Sequence, residues 1–217
     1  MLGCEMIVVQ VGKGESLQTV HVHKAALLKS PFFRAFLTTE FAEAVHQYIV
    51  LPEDDFEAVK DYISWLYTGT FTYTAEHSSC MRTFWLFVDK VCDDDYCNDT
   101  IDALRASYRS RKLYMCLKSD HFFYNNGMGK TQIAKFGIKS NAYEMIANPE
   151  GWKESTTFYE VMKDKSEGLG EIMVDLVDEV MLLQARKGKL VSPAWLEGCQ
   201  FHEHKDGRPC SQANETK

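Results

Sequence analysis

The chain has 217 residues, 45% of them hydrophobic and 25% charged, which suits one domain with an extension or two small domains. A formal net charge of −7, from 24 basic against 31 acidic residues, makes a surface that repels phosphate backbones and sets nucleic acid aside as a partner. The 7 cysteines form no regular framework, the opening MLGCEMIVVQVG lacks a basic leader segment, and no apolar run reaches the roughly 18–20 residues of a membrane span. The expectation is an intracellular protein, cytoplasmic or nuclear, with reduced thiols and no membrane contact.

In chain order, EMIVVQVG is a β-branched run ended by Gly12, GKGES is a turn, and LQTVHVH alternates again, so a β-hairpin is expected. It sets Val20 and Val22 on one face, His21 and His23 on the other. KAALLKS reads as helical. Ser30 and Pro31 then start a helix, a capping hydroxyl followed by a residue whose fixed φ suits the first turn; Phe32, Phe33, Phe36 and Leu37 follow at helical spacing, and the phenylalanines are expected to plug the core. QYIVLP is a short strand closed by Pro52. EDDFEAVKDYISWLYTG is a helix with Glu53, Asp54 and Asp55 in its first turn, a buried stripe of Phe56, Val59, Ile63 and Leu66, and Gly69 as its stop.

TFTYT (70–74) reads as a further strand, after which the chain turns helical. Phe84, Phe87, Val88 and Val91 make one stripe, and Ile101, Leu104 and Tyr108 another. Residues 116–150 give a weaker pattern, broken at NNGMGK and at NPEGW. In the last helix, GEIMVDLVDEVMLLQARKGK, Ile172, Met173, Leu176, Val177, Val180 and Leu183 are expected inside. Glu171, Asp175, Asp178 and Glu179 are expected in water. The tail from Gly198 is polar.

Few stretches carry chemistry. RASYRSRK (105–112), the richest basic run, reads as a solvated helix face. GMGKT (127–131) lacks the glycine that a phosphate loop needs at position 124, which is Tyr124. DDDYCND (93–99) lacks the central glycine and closing glutamate of a calcium loop and reads as an acidic corner between helices. His21 and His23 lie on one side of a strand with no third ligand nearby in sequence, and read as structural. CQFHEHKDGRPC (199–210) places Cys199, His202, His204 and Cys210, all zinc-ligand types, within one short segment. Two readings of it stay open, a zinc site or a C-terminal flap in which Phe201 packs on the helices. No cofactor is expected, no metal site is favoured, and no constellation supports catalysis.

Val22-His23-Lys24, Leu27-Leu28, Ser30-Pro31-Phe32-Phe33, IVLPEDD (49–55) and WLYTGTF (65–71), in that order and spacing, resemble the BTB/POZ domain over about residues 5–75. The chain is most similar in style to BTB proteins of filamentous fungi, which carry a helical C-terminal extension. The resemblance implies an α+β fold of short strands with a cluster of helices at 1–75, an all-α extension at 76–197 and a polar tail at 198–217. It implies partner proteins rather than a substrate. Many such domains dimerise through an N-terminal helix, and this chain begins almost at the first family strand, so that helix is expected to be missing. Glu5 and Lys24 match the charged pocket of dimeric members, with glutamate in place of the usual aspartate. Phe41 and Glu43 match the apolar-x-Glu signature of cullin-binding members. Two versions of an interaction module follow, a self-associating scaffold or a substrate adaptor of a cullin-based ubiquitin ligase. The alternative is a zinc-binding regulatory protein using the C-terminal cluster.

Overall fold

Met6–Val11 and Gln18–His23 pair antiparallel as β1 and β2, with Ile7 opposite Val22 and Val9 opposite Val20. Tyr48–Leu51 forms β3, parallel to β1 on its other side, so the strand order is β2-β1-β3. Residues opposite one another share a face. Ile7, Val9, Val11, Val22, Ile49 and Leu51 therefore make one inner face, and none is more than 2% exposed. At the hairpin end Gly12 has φ +88°, and a Cβ there would lie 2.6 Å from the Ser16 carbonyl oxygen, so the turn needs glycine. The structure is a computed structural model that describes residues 4–38, 48–113, 115–154, 156–163 and 168–204. They fall in two compact units, Met1–Thr100 and Ile101–Lys217.

In the first unit, α1 (Lys24–Leu27) and α2 (Pro31–Thr38) follow β2. Ser30 is the expected cap: its Oγ accepts from the Phe33 N–H at 3.1 Å. Of the phenylalanines of α2, only Phe33 is fully buried; Phe32 and Phe36 are half-buried. An eight-residue helix presents one narrow face, and Phe33 alone lies at its centre. The next helix, α3 (Phe56–Thr68), is capped by Asp55, whose Oδ1 accepts from Ala58 N–H at 3.0 Å, and ends at left-handed Gly69. Glu53 and Asp54 precede the helix rather than lie in its first turn, and pair with Lys13 and Lys90. The buried face of α3 includes Val59, Ile63 and Leu66 as expected, and adds Ala58 and Tyr62.

TFTYT is not a strand: residues 70–74 have no regular structure, and the three-stranded sheet takes no further partner there. Its alternation instead sends aromatics inward. Phe71 stacks on Phe84 at 5.5 Å between centroids, and Tyr73 is buried. Then come α4 (Ala75–Ser79), α5 (Met81–Val91) and the first turns of α6 (Asp94–Arg111), which belongs to the second unit from Ile101 onward. Phe84, Phe87, Val88 and Val91 are buried as expected, with Met81 and Trp85 beside them. The acidic run opening α6 is less solvated than its composition suggests. Asp93 is buried and lies 2.7 Å from Tyr62 Oη, which also meets Ser30 Oγ at 2.7 Å. Burial pushes the Asp93 carboxyl and the Tyr62 phenol up.

In the second unit, α8 (Gln132–Ala147) packs against α7 (Leu117–Asn125), α9 (Pro149–Glu154) and α11 (Gly168–Ala185), while α10 (Thr156–Lys163) packs on α7 and α9. Buried Asn141 organises this core. Its Nδ2 donates to Asp120 Oδ2 at 2.7 Å and to the Met115 carbonyl at 3.0 Å, and its Oδ1 accepts from Trp152 Nε1 at 2.9 Å. The GMGKT segment is a turn between α7 and α8, and a Cβ on Gly129 would meet the Tyr124 ring at 2.8 Å, so glycine is there for packing.

Two expectations for α11 need correction. Ile172 and Leu176 are buried, but Val177 is 48% exposed. The helix touches its neighbours along a stripe narrower than its apolar content, so Val177 faces out. Glu179 does not simply face water; its carboxylate takes Lys139 Nζ at 2.9 and 3.0 Å. Among the basic residues of the basic run Arg105 alone departs from the expected solvated face: it is buried, while Arg109, Arg111 and Lys112 are exposed. Among the described residues, no helix is long and apolar enough to cross a membrane.

Candidate interaction surfaces and a Cys/His turn

The register that buries one face of the sheet turns the other outward. Met6, Val8 and Gln10 of β1 stand opposite His23, His21 and Thr19 of β2, and Val8 and Gln10 also stand opposite Tyr48 and Val50 of β3. This outer face carries no acid, lysine or arginine. Met6 and Val50 are 36% and 37% exposed on it.

The two histidines do not converge on a ligand. Tyr67 Oη accepts from the His23 backbone N–H at 2.9 Å and lies 2.8 Å from its Nδ1, which ties β2 to α3. His21 is exposed on the strand. Glu5 and Lys24 are brought together at the end of the same hairpin, Nζ to Oε1 at 2.8 Å, while the Lys24 N–H donates to the Glu5 carbonyl. Both side chains are partly exposed, so the pair contributes about 1 kcal/mol at most and a partner could reorganise it cheaply. Phe41 and Glu43 lie outside the described residues.

The C-terminal segment is built from Phe201 upward. Its ring is 1% exposed, edge-on to Phe136 at 5.4 Å, with the Arg105 guanidinium 5.1 Å from its centroid. Arg105 also donates to Asp102 at 2.8 Å and to the Leu196 carbonyl. With Phe201 fixed, the His202 N–H closes a turn on the Cys199 carbonyl at 3.1 Å. That turn brings Cys199 and His202 together, and His204 follows two residues on. One potential ligand atom from each of these three lies within 4.8 Å of the others. His202 Nε2 meets Asp102 Oδ2 at 2.9 Å, and its side chain is 3% exposed. Burial alone would raise the Asp102 carboxyl, but His202 and Arg105 outweigh it and hold it below the usual range. Cys210 lies outside the described residues.

One arrangement has no counterpart in the sequence reading. His77 is buried with Nε2 2.8 Å from Asp61 Oδ2, and its Nδ1 accepts the Thr74 N–H at 2.9 Å, with Thr74 Oγ1 2.8 Å away. A hydroxyl, an imidazole and a carboxylate in line resemble a nucleophile's relay. Here the backbone N–H occupies the nitrogen that would take the hydroxyl proton, and the group works as the N-terminal cap of α4. The signal was a threonine three residues before a histidine at a helix start, a polar variant of the capping box.

No curated protein matches the chain. The family model of the BTB/POZ domain matches residues 6–84. That span runs from the first residue of β1 into α5, where the sequence expectation ended the core at 75. It contains the whole sheet, the Ser30-capped helix and α3, in the order that the resemblance implied. Residues 6–84 of this chain are a BTB/POZ domain, a protein–protein interaction module.

Proposed function

We propose that the chain acts as a non-enzymatic scaffold that self-associates through its BTB/POZ domain and carries a second partner on its helical unit. The observation that carries this reading is the outer sheet face of a domain whose family works by contact. Met6 and Val50 are exposed there on a surface without formal charge, so docking a second copy costs little desolvation. The Glu5–Lys24 pair at the hairpin end would form part of a polar rim. On the helical unit, Val174, Val177 and Met181 are 60%, 48% and 62% exposed, spaced along one side of α11. Co-expression of two differently tagged copies tests self-association. The copies should purify together, and Met6→Glu with Val50→Glu in both should separate them; copies that never co-purify would remove the reading.

A second reading is supported by Phe41 and Glu43, which fit the apolar-x-Glu pattern of cullin-binding members. On it, the chain delivers substrates to a cullin-based ubiquitin ligase. An apolar anchor with a charged neighbour is the kind of contact that dominates an interface. The full chain should then retain a cullin N-terminal domain in a pull-down, and Phe41→Ala with Glu43→Ala should abolish retention. No retention by the unaltered chain rejects the adaptor role and leaves the scaffold.

A further inference from the structure

We propose that Cys199, His202 and His204 bind one divalent ion of the zinc class, with Asp102 as the positioning residue. This goes beyond the scaffold reading and stands on separate residues. The ligand types come first. A thiolate with two imidazoles is a soft set that selects zinc or a neighbouring transition ion over calcium or magnesium. The geometry comes second. The three ligand atoms already lie within 4.8 Å of one another. Zinc needs them about 3.3–3.6 Å apart, from bonds of about 2.0–2.3 Å in a tetrahedron. Closing the set thus shortens any one separation by about 1.5 Å at most, which side-chain rotation, freest at the exposed His204, supplies.

The third and independent observation is the carboxylate behind His202. A metal-bound histidine characteristically donates its second ring N–H to a carboxylate, which fixes the tautomer and the ring plane. Asp102 meets His202 Nε2 at 2.9 Å, which leaves Nδ1 as the coordinating nitrogen. Arg105 holds Asp102 from the other side, and Phe201 anchors the turn between Cys199 and His202. The supporting groups are therefore in place before an ion arrives, on α6 and α8. Binding forms the metal–sulfur bond and releases the Cys199 thiol proton to solvent. The fourth position is open to water.

The test uses the full chain, stripped with a chelator and titrated with cobalt(II), then with zinc. About one equivalent of cobalt should bind and give a thiolate-to-cobalt charge-transfer band in the near ultraviolet, which zinc abolishes. Cys199→Ser should remove that band. His204→Ala, on an exposed side chain, should weaken binding at least about tenfold with the melting curve of the apo protein unchanged. Asp102→Asn should weaken binding roughly 10–100-fold while the band keeps its position, as expected of a group that acts through His202. Two results would overturn the proposal: a charge-transfer band that survives Cys199→Ser, or less than roughly a tenth of an equivalent of zinc retained by the unaltered chain after dialysis.

Discussion

A methyl group on Gly137 would lie 1.7 Å from Asp120 Oδ1. Glycine inside a helix costs about 0.5–1 kcal/mol relative to alanine, so its presence in the middle of α8 marks the close approach of α7. Gly137→Ala should destabilise the protein by about 3 kcal/mol, read from urea denaturation, because the contact atom is a buried carboxylate that cannot swing away. Asp120 itself is wholly buried; its Oδ2 is bonded to Asn141 and its Oδ1 meets no donor among the described residues. Burial pushes its carboxyl well above the usual range. The folded protein therefore keeps a proton that the unfolded chain loses near pH ~4, and stability falls as pH rises above that value. The stability difference between Asp120→Asn and the unaltered protein should shift in favour of the variant from about pH 4 to pH 7, measured by denaturant midpoints. At this scale the sequence was most legible where the partner is local. Ser30 and Gly69 do what their types and positions require, because a cap is decided within one turn. Arg105, Glu179 and His202 were not legible, because their partners include groups 91, 40 and 100 residues away in the chain.

At the scale of elements, periodicity located α3, α5 and α11 but could not say what each face meets. TFTYT has the alternation of a strand and none of its pairing, since alternation reports which side chains point inward and not whether a neighbouring backbone is available. In α11 the error has the opposite sense. Six apolar positions were assigned to the interior, and the packing reaches only Ile172 and Leu176 completely. The two neighbouring positions make a sharp comparison. Val177→Lys should change stability by less than about 0.5 kcal/mol, since Val177 is 48% exposed. Leu176→Lys, at 0% exposure, should abolish the cooperative melt of the second unit, because it buries an unpaired charge. Circular dichroism melts of the two variants decide it. The C-terminal turn was legible as residue types only. Chain spacing put Cys199, His202 and His204 in one segment, but their convergence depends on the turn that Phe201 pins, and the Asp102 carboxylate behind His202 comes from α6, far away in the chain.

At the scale of the molecule, the resemblance read from VHK, SPFF, LPEDD and YTG was enough to identify the domain, since those residues place the sheet, the Ser30 cap and α3 in a fixed order. The family match over residues 6–84 agrees with it. The helical unit has no such signature, and its architecture rests on buried polar groups such as Asn141 and Asp120, which composition does not reveal. Function at this scale follows from surfaces. A domain that works by contact, with an outward sheet face bearing Met6 and Val50 and no formal charge, is suited to meeting a second copy of itself. The most direct measurement is the mass of the purified full chain by light scattering across a dilution series. The scaffold reading predicts twice the chain mass at high concentration, falling to the chain mass when Met6→Glu and Val50→Glu are combined. A single chain mass at every concentration, unchanged by those substitutions, would contradict it.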